Sequence, residues 1–368
     1  MGSPEHLVIA GGGTGGHLFP GVAVAEAFLE LCPEGKVTFV GTERGIEARV
    51  IPELGFPLEL VEVSALKGGG LMRKMKSAAG LPMSGLRARK LLRRLEPSAV
   101  VSVGGYAAGP VTLMASWMGI PTALMEQNST PGMTNRWLGK SVDRGYLTFE
   151  DSARYFDKLD ARVVGNPVRK DLLAMADGFS YEAPGKDGPF RILIIGGSGG
   201  AGSFNEHLPG LFQSMGELAG RLHVRHQAGR DRADDVRPRY EGFTGSAVVE
   251  EFIDDMVAAY RWCDLLICRA GASTMAEVLN LGLPAIYVPF PHAADDHQRA
   301  NALSVVEAGA GVMIDDSELE SDRARALLRG FMANPEALSN LARRARELGR
   351  PQAARDIAED LVSMIRDS

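Results

Sequence analysis

Cysteine is scarce. Cys32, Cys263 and Cys268 are the only three in 368 residues, and their spacing makes no metal-ligand pattern. Cys263 and Cys268, five apart, are expected on one strand and facing opposite sides, and a reduced, cytosolic protein is the plain reading. The first residues lack a basic n-region and an apolar h-region, so no export signal is expected. They also lack a myristoylation site, because His6 stands where Ser or Thr is needed. Long apolar runs are missing too. The segment 97–125 carries no charged side chain, yet Gly104, Gly105, Gly109, Pro110, Gly119 and Pro121 cut it into strand, loop, helix and strand. A buried α/β segment explains that pattern better than a transmembrane helix. An excess of basic charge is absent as well, and a net charge of -6 argues against a nucleic-acid binder.

What is present describes a globular protein, 45% hydrophobic and 23% charged, and long enough for two domains. Short apolar runs recur at 7–10, 37–40, 58–63, 99–103, 122–125, 145–147 and 162–164. Helical patterns separate them at 22–31, 43–54, 85–95 and 111–118. Runs of strand length that do not alternate are what a parallel sheet covered on both faces requires. The pattern breaks near Gly165-Asn-Pro-Val-Arg169, where residues to 187 are rich in Gly, Asp and Pro. It restarts at Arg191-Ile-Leu-Ile-Ile195, with further runs at 222–225, 247–250, 265–268, 285–288 and 311–314 and a helical tail over 335–365. The expected fold is α/β, two doubly wound parallel-sheet domains, at 1–165 and 166–344, with 345–368 returning to the first.

Two glycine turns stand at equivalent places in the halves. The run His6–Ala10 flows into Gly11-Gly-Gly-Thr-Gly-Gly-His17, and Arg191–Ile195 into Gly196-Gly-Ser-Gly-Gly-Ala-Gly202. With no side chains in the way, backbone N–H groups at the start of the next helix can cradle an anion. A bare turn is the competing explanation for either alone, and Gly11, Gly13 and Gly16 also satisfy a dinucleotide fingerprint, which by itself is weak. A third cluster, Gly104-Gly-Tyr-Ala-Ala-Gly-Pro110, again joins a strand to a helix. His17 is what a plain turn does not need.

The second half carries Cys268-Arg-Ala-Gly-Ala-Ser-Thr-Met-Ala-Glu-Val-Leu-Asn280. Ser273 or Thr274 is expected to cap a helix, and Glu277, one turn in, can hold the two hydroxyls of a ribose; its alternative is a charge complementing the helix dipole. His292, Asp295, Asp296, His297 and Gln298 follow in a loop too polar for a core, suited to sugar hydroxyls better than to a metal. The Asp pairs beginning at Asp234, Asp254 and Asp315 read as solvated loop or cap residues. From 64 to 95 there are nine Lys and Arg and no acid, among them Lys67, Arg73, Lys74 and Lys76, interleaved with Leu71, Met72 and Met75. This mixture suits docking on an anionic membrane surface, against the plainer alternative of a solvated basic helix. It holds no aromatic residue for stacking on nucleic acid.

The motifs Gly12–Gly21, Gly104–Pro110, Glu126-Gln-Asn128, Gly165–Arg169, Gly196–Ala201, Phe252-Ile-Asp-Asp-Met256, Arg269–Thr274 and Asp296-His-Gln298, in that order, resemble the MurG family of UDP-N-acetylglucosamine transferases. The resemblance spans nearly the whole chain. It implies a GT-B fold and an inverting, metal-independent transfer of GlcNAc from UDP-GlcNAc to a lipid-linked acceptor, lipid I, at the cytoplasmic face of the bacterial inner membrane, with no cofactor. It further implies donor contacts from Arg169, Ser198, Ile253, Ala272, Ser273, Thr274, Met275, Ala276, Glu277 and Gln298, and from Thr14, Gly15, Gly16 and Asn128 of the first half. Gly13, Gly104, Gly105 and Tyr106 are expected at the acceptor diphosphate. One departure is Met125, where the family commonly has His. His17 is the candidate base, since an unperturbed imidazole pKa of about 6.5 suits proton transfer near neutral pH; its plainer role is to bond the acceptor diphosphate or order the loop. Rival readings are a diacylglycerol glycosyltransferase, an NAD(P)-dependent oxidoreductase with Glu43 on the ribose, and a membrane-binding scaffold.

Overall fold

The structure is a computed structural model describing residues 4–62, 71–105, 107–197 and 199–368, of which 71–82 by main chain alone. The chain divides into two compact units, one of residues 1–169 with 351–368 and one of 170–350. The division falls after Arg169 and Arg350, where 165 and 344 were expected.

The first unit has seven parallel strands: β1 (His6–Gly11), β2 (Lys36–Gly41), β3 (Leu58–Leu60), β4 (Ala99–Gly104), β5 (Thr122–Glu126), β6 (Arg144–Leu147) and β7 (Asp160–Val163). Their order is β3-β2-β1-β4-β5-β6-β7. Leu7 and Ile9 enter one apolar cluster and Val8 and Ala10 another, on the opposite face. Both faces are covered, which is why the strand reads as an unbroken apolar run. The chain runs outward from β1 to β3 and then crosses to β4 beside β1. In open α/β sheets ligands bind at such a switch point, outside the carboxyl ends of the strands.

The last helix, Ala353–Arg366, belongs to this unit. Ile357, Ala358, Leu361 and Val362 form one stripe, buried in the cluster that holds Val24 and Phe28 of the helix Gly15–Leu31. Asp360 secures it: Tyr146 Oη donates to Asp360 Oδ2 at 2.8 Å, and Arg144 and Arg162 pair with the same carboxylate at 3.0 and 2.5 Å. The long helix Leu71–Leu95 seats Ala88, Leu91 and Leu92 on the other face.

The second unit has six parallel strands: β8 (Phe190–Ile195), β9 (Leu222–Gln227), β10 (Ser246–Glu250), β11 (Leu265–Arg269), β12 (Ala285–Val288) and β13 (Val312–Met313). Their order is β10-β9-β8-β11-β12-β13, with the switch between β8 and β11. A helix, Lys170–Gly178, lies where the sequence pattern was broken; Leu172, Met175 and Ala176 are its buried stripe. Cys263 precedes β11, ending the helix Met256–Trp262, and only Cys268 lies on the strand, so the two do not share one. All three cysteines are free and buried, and burial pushes the Cys263 thiol up to about 12.

Candidate active site

In the first unit the loops after β1 and β4 meet. Gly11, Gly12 and Gly13 adopt φ of 131°, 135° and 87°, a path favoured by glycine. Gly12 N donates to Gly104 O at 3.1 Å, joining the two loops. The helix starts at Gly15, with Thr14 as N-cap in extended conformation, and no side chain caps it. His17 is half-buried in its first turn, with Nδ1 3.1 Å from Thr14 Oγ1. Its ring lies over Gly104, where an added Cβ would stand 2.9 Å from Cδ2, so the glycine turn after β4 makes room for this imidazole. The structure therefore brings His17, Thr14, Gly104 and Gly105 together. Tyr106 lies outside the described residues.

Gly13 behaves differently from a cradle amide. Its N–H donates to Glu47 Oε2 at 2.7 Å. Gly13 is exposed, with open space where a Cβ would stand, and Thr14 and Gly16 at the helix start are exposed as well. Glu47 was not singled out from sequence.

Beyond β5, Glu126 is 2% exposed and organises the next loop. Its carboxylate accepts from Asn128 N at 2.9 Å, Asn135 Nδ2 at 2.9 Å, Gly132 N at 3.1 Å and Asn128 Nδ2 at 3.3 Å. Burial raises its pKa, and these hydrogen bonds oppose the rise. Asn128 is thus held in place by its neighbour. Met125 is buried in the apolar cluster with Ala123 and Tyr146. Arg169 belongs to this unit, its guanidinium 5.7 Å from the Phe19 ring centre.

In the second unit a cavity of about 500 Å³ opens at the carboxyl ends of β8 and β11. The glycine turn walls one side, Arg269, Gly271 and Thr274 another, and Phe290, His292, Gln298 and Asp316 the third. Ligand pockets commonly have about 300–1,000 Å³. Ser198, expected here, lies outside the described residues. The turn is braced from behind: a Cβ on Gly200 would collide with Ala228 O, and Ala228 O accepts from Asn205 Nδ2 at 2.9 Å. Asn205 Oδ1 in turn faces His226 Nε2 at 3.0 Å, and His226 Nδ1 lies 2.9 Å from Tyr240 Oη.

The helix Ala272–Leu281 is capped two residues before Ser273, the earlier of the two expected caps, with Gly271 as N-cap in extended conformation and no side-chain cap. Ser273 and Thr274 are first-turn residues, not caps, because glycine already takes the non-helical cap position. The first turn holds no acid, and Glu277 lies beyond it, so neutralising the dipole is not its function. Glu277 Oε2 instead accepts from the buried Tyr260 hydroxyl at 2.7 Å. Met275, Ala276 and Ala272 are buried in the helix's packed face. Ile253 is buried beside exposed Phe252, in the loop before Asp255, which caps the next helix by accepting from Ala258 N.

Arg269, not singled out by role from sequence, is held at the cavity wall by several partners. It pairs with Asp316 at 2.5 Å, donates to Ser203 Oγ at 2.7 Å and to the Val288 and Pro289 carbonyls, and lies 4.4 Å from the Phe204 ring centre. Gln298 Oε1 accepts from Phe290 N at 2.9 Å, which fixes the carboxamide at the cavity wall. Asp295 and Asp296, with φ of 52° and 50°, shape that loop; His297 Nδ1 bonds Ala294 O and Asp296 pairs with Arg299. Asp315 forms a capping box with Glu318, and Asp234 pairs with Arg237.

The chain matches the glycosyltransferase family 28 N-terminal domain over residues 7–147 and the C-terminal domain of the same family over 191–361. It is 43% identical over 361 residues, 98% of this chain and 93% of the relative, to the UDP-N-acetylglucosamine–N-acetylmuramyl-(pentapeptide) pyrophosphoryl-undecaprenol N-acetylglucosamine transferase of Myxococcus xanthus. It is 44% identical to the transferase of that name from Citrifermentans bemidjiense, over 97% of this chain and 99% of the relative. The crystal structure of Acinetobacter baumannii MurG superposes with a TM-score of 0.81 at 30% identity, covering 98% of this chain and all of that one. Two parallel α/β units, a donor-sized cavity at the second switch point and these likenesses over the full length lead to one assignment: the chain is a glycosyltransferase of family 28 and belongs to the MurG family of N-acetylglucosamine transferases.

Proposed function

We propose that the chain moves GlcNAc from UDP-GlcNAc to the C4 hydroxyl of MurNAc in undecaprenyl-diphosphoryl-MurNAc-pentapeptide, turning lipid I into lipid II. The observation that carries the donor half is the cavity beyond β8 and β11. An uncapped helix start and a glycine turn there offer N–H groups to the UDP diphosphate, and Glu277 on the same helix is suited to the ribose. Ile253 serves uracil through its main chain, and Gln298 donates to the sugar hydroxyls. As the C1–O bond to UDP breaks, charge collects on the leaving diphosphate, where the helix start and the turn stabilise it.

In the first unit His17 removes the proton from the attacking C4 hydroxyl, so the glycosidic bond forms with inversion. Thr14 Oγ1 beside Nδ1 orients the ring for that transfer. On the family resemblance Thr14, Gly15, Gly16 and Asn128 serve the donor sugar, Gly104, Gly105 and Tyr106 the acceptor diphosphate, and Arg169 and Ser198 the nucleotide. Met125, fully packed among apolar groups, has no polar part in this scheme.

The same reading places the protein on the anionic inner-membrane surface, at its cytoplasmic face. Lys67 lies outside the described residues, as do the side chains of Leu71, Met72, Arg73, Lys74, Met75 and Lys76. Support comes from Trp117, Met133 and Trp137, which are 71%, 80% and 66% exposed. They lie on the helices Ala108–Trp117 and Met133–Leu138, which pack in series beside the basic helix. Met83, Leu86, Arg89, Lys90 and Arg93 of the basic helix are exposed as well. Arg87 and Arg94 are engaged with Glu62 and Glu59. No helix among the described residues is long and apolar enough to cross a membrane.

The dehydrogenase reading fares worse, because Glu47 already occupies the Gly13 amide and sets a negative charge behind the fingerprint turn. Titration separates the two. UDP binding that weakens in Glu277→Ala, with no response to NAD, supports transfer; NAD binding without UDP binding would refute it.

A further inference from the structure

We propose that Glu47 is a positioning residue that sets the first unit's glycine turn and, through it, the place of His17. The inference rests on reading that turn as the acceptor side of the transfer site. Glu47 is 1% exposed and opens the helix Glu47–Glu53. A buried carboxylate is costly unless its oxygens are bonded. Here no basic side chain pairs with it among the described residues; its partners are Gly13 N at 2.7 Å, Thr42 N at 2.9 Å and Thr42 Oγ1 at 3.1 Å.

Three glycines make the space. A Cβ on Gly12 would stand 2.7 Å from Oε2, and one on Gly41 or Gly45 would collide with the same side chain. The carboxylate is therefore walled by bare main chain from three separate places: the turn after β1, the end of β2 and the loop after it. One side chain joins them.

The consequence reaches His17 in three links. Oε2 fixes Gly13, the next residue is the N-cap Thr14, and Thr14 meets His17 twice, from Oγ1 to Nδ1 at 3.1 Å and from its carbonyl to the His17 amide at 3.2 Å. Gly11–Gly13 all have positive φ, so the turn has the freedom of glycine and needs an outside anchor. The other anchor is the Gly12–Gly104 hydrogen bond. Spending the Gly13 amide on Glu47 also moves the anion-binding part of the turn to the helix start, beside His17.

The test is Glu47→Gln, which keeps the shape but offers one oxygen to two backbone donors, together with Thr42→Val, which removes only the hydroxyl donor. Transfer to a short-chain lipid I analogue and UDP affinity are measured for both and for the unaltered enzyme. A misplacement of about 1 Å can cost about 100-fold in rate. Glu47→Gln is expected to lose about 10- to 100-fold in kcat, with UDP affinity within about twofold, and Thr42→Val to lose less, in the same direction. Unchanged kcat in Glu47→Gln would overturn the proposal, and so would a loss that appears only as weaker UDP binding. If the unaltered enzyme transfers nothing to lipid I while binding UDP, the functional reading fails, not the placement of Glu47.

Discussion

His226 gives the second unit a defined sensitivity to acid. The ring is fully buried at the end of β9, and burial lowers its pKa from 6.5 to about 4. Its contacts explain why a second proton is unwelcome. Asn205 gives its N–H to Ala228 O, which leaves Oδ1 toward Nε2–H, so Nδ1 is the acceptor for Tyr240 O–H. No carboxylate is among these partners to stabilise an imidazolium. Between pH 6.5 and 4 the unfolded chain therefore binds a proton that the folded chain refuses. The stabilisation from neutral His226 is complete above 6.5 and is lost as pH falls through that window. The fall from 6.5 to about 4 corresponds to about 3 kcal/mol in all, of which about 2 kcal/mol is lost between pH 7.5 and 5.

Urea unfolding at those two pH values, followed through Trp262 after Trp117→Phe and Trp137→Phe, reads the second unit alone. With a slope of about 2 kcal/mol/M, the midpoint falls by about 1 M more in the parent than in His226→Gln, whose side chain does not titrate. Equal pH dependence in the two proteins would refute the argument.

Other outcomes follow from the same contacts. His17→Ala should lower kcat about 10²- to 10⁴-fold and leave UDP affinity unchanged; near-normal turnover with unaltered pH dependence would remove His17 as base. Ile357→Ala empties a fully buried site under the returning helix and should destabilise the first unit by about 2–5 kcal/mol in calorimetry, without moving the second unit's transition. Reversing Arg73, Lys74 and Lys76 to Glu should weaken binding to phosphatidylglycerol vesicles about 100-fold or more, at about 1 kcal/mol per basic residue, with less effect at high salt. Unchanged vesicle binding would move docking off that patch.

The strands were legible because each is buried on both faces and shows as a short apolar run. The helix Lys170–Gly178 was not, since three buried residues in a Gly- and Asp-rich stretch make a weak stripe. The tail read as helical, but nothing in its stripe names Phe28 or Tyr146 as partners; the surface it covers comes from elsewhere in the chain. In the site, side chains carrying their own chemistry stood out, His17 and Glu277 among them. Glu47 did not, because it acts on the main chain of a residue 34 positions away, and amide hydrogens leave no mark in a sequence. Ser273 misled as a cap because Gly271 can take that conformation unaided. Arg269 stood inside a quoted motif, yet its partners Ser203, Asp316 and Phe204 come from other loops and helices.

The most direct measurement is transfer of labelled GlcNAc from UDP-GlcNAc to a short-chain lipid I analogue, with UDP-glucose and UDP-galactose as donor controls and diacylglycerol as acceptor control. The account predicts a β-1,4-linked disaccharide product from UDP-GlcNAc and lipid I alone. Label appearing on diacylglycerol, or none on lipid I from an enzyme that binds UDP, would contradict it.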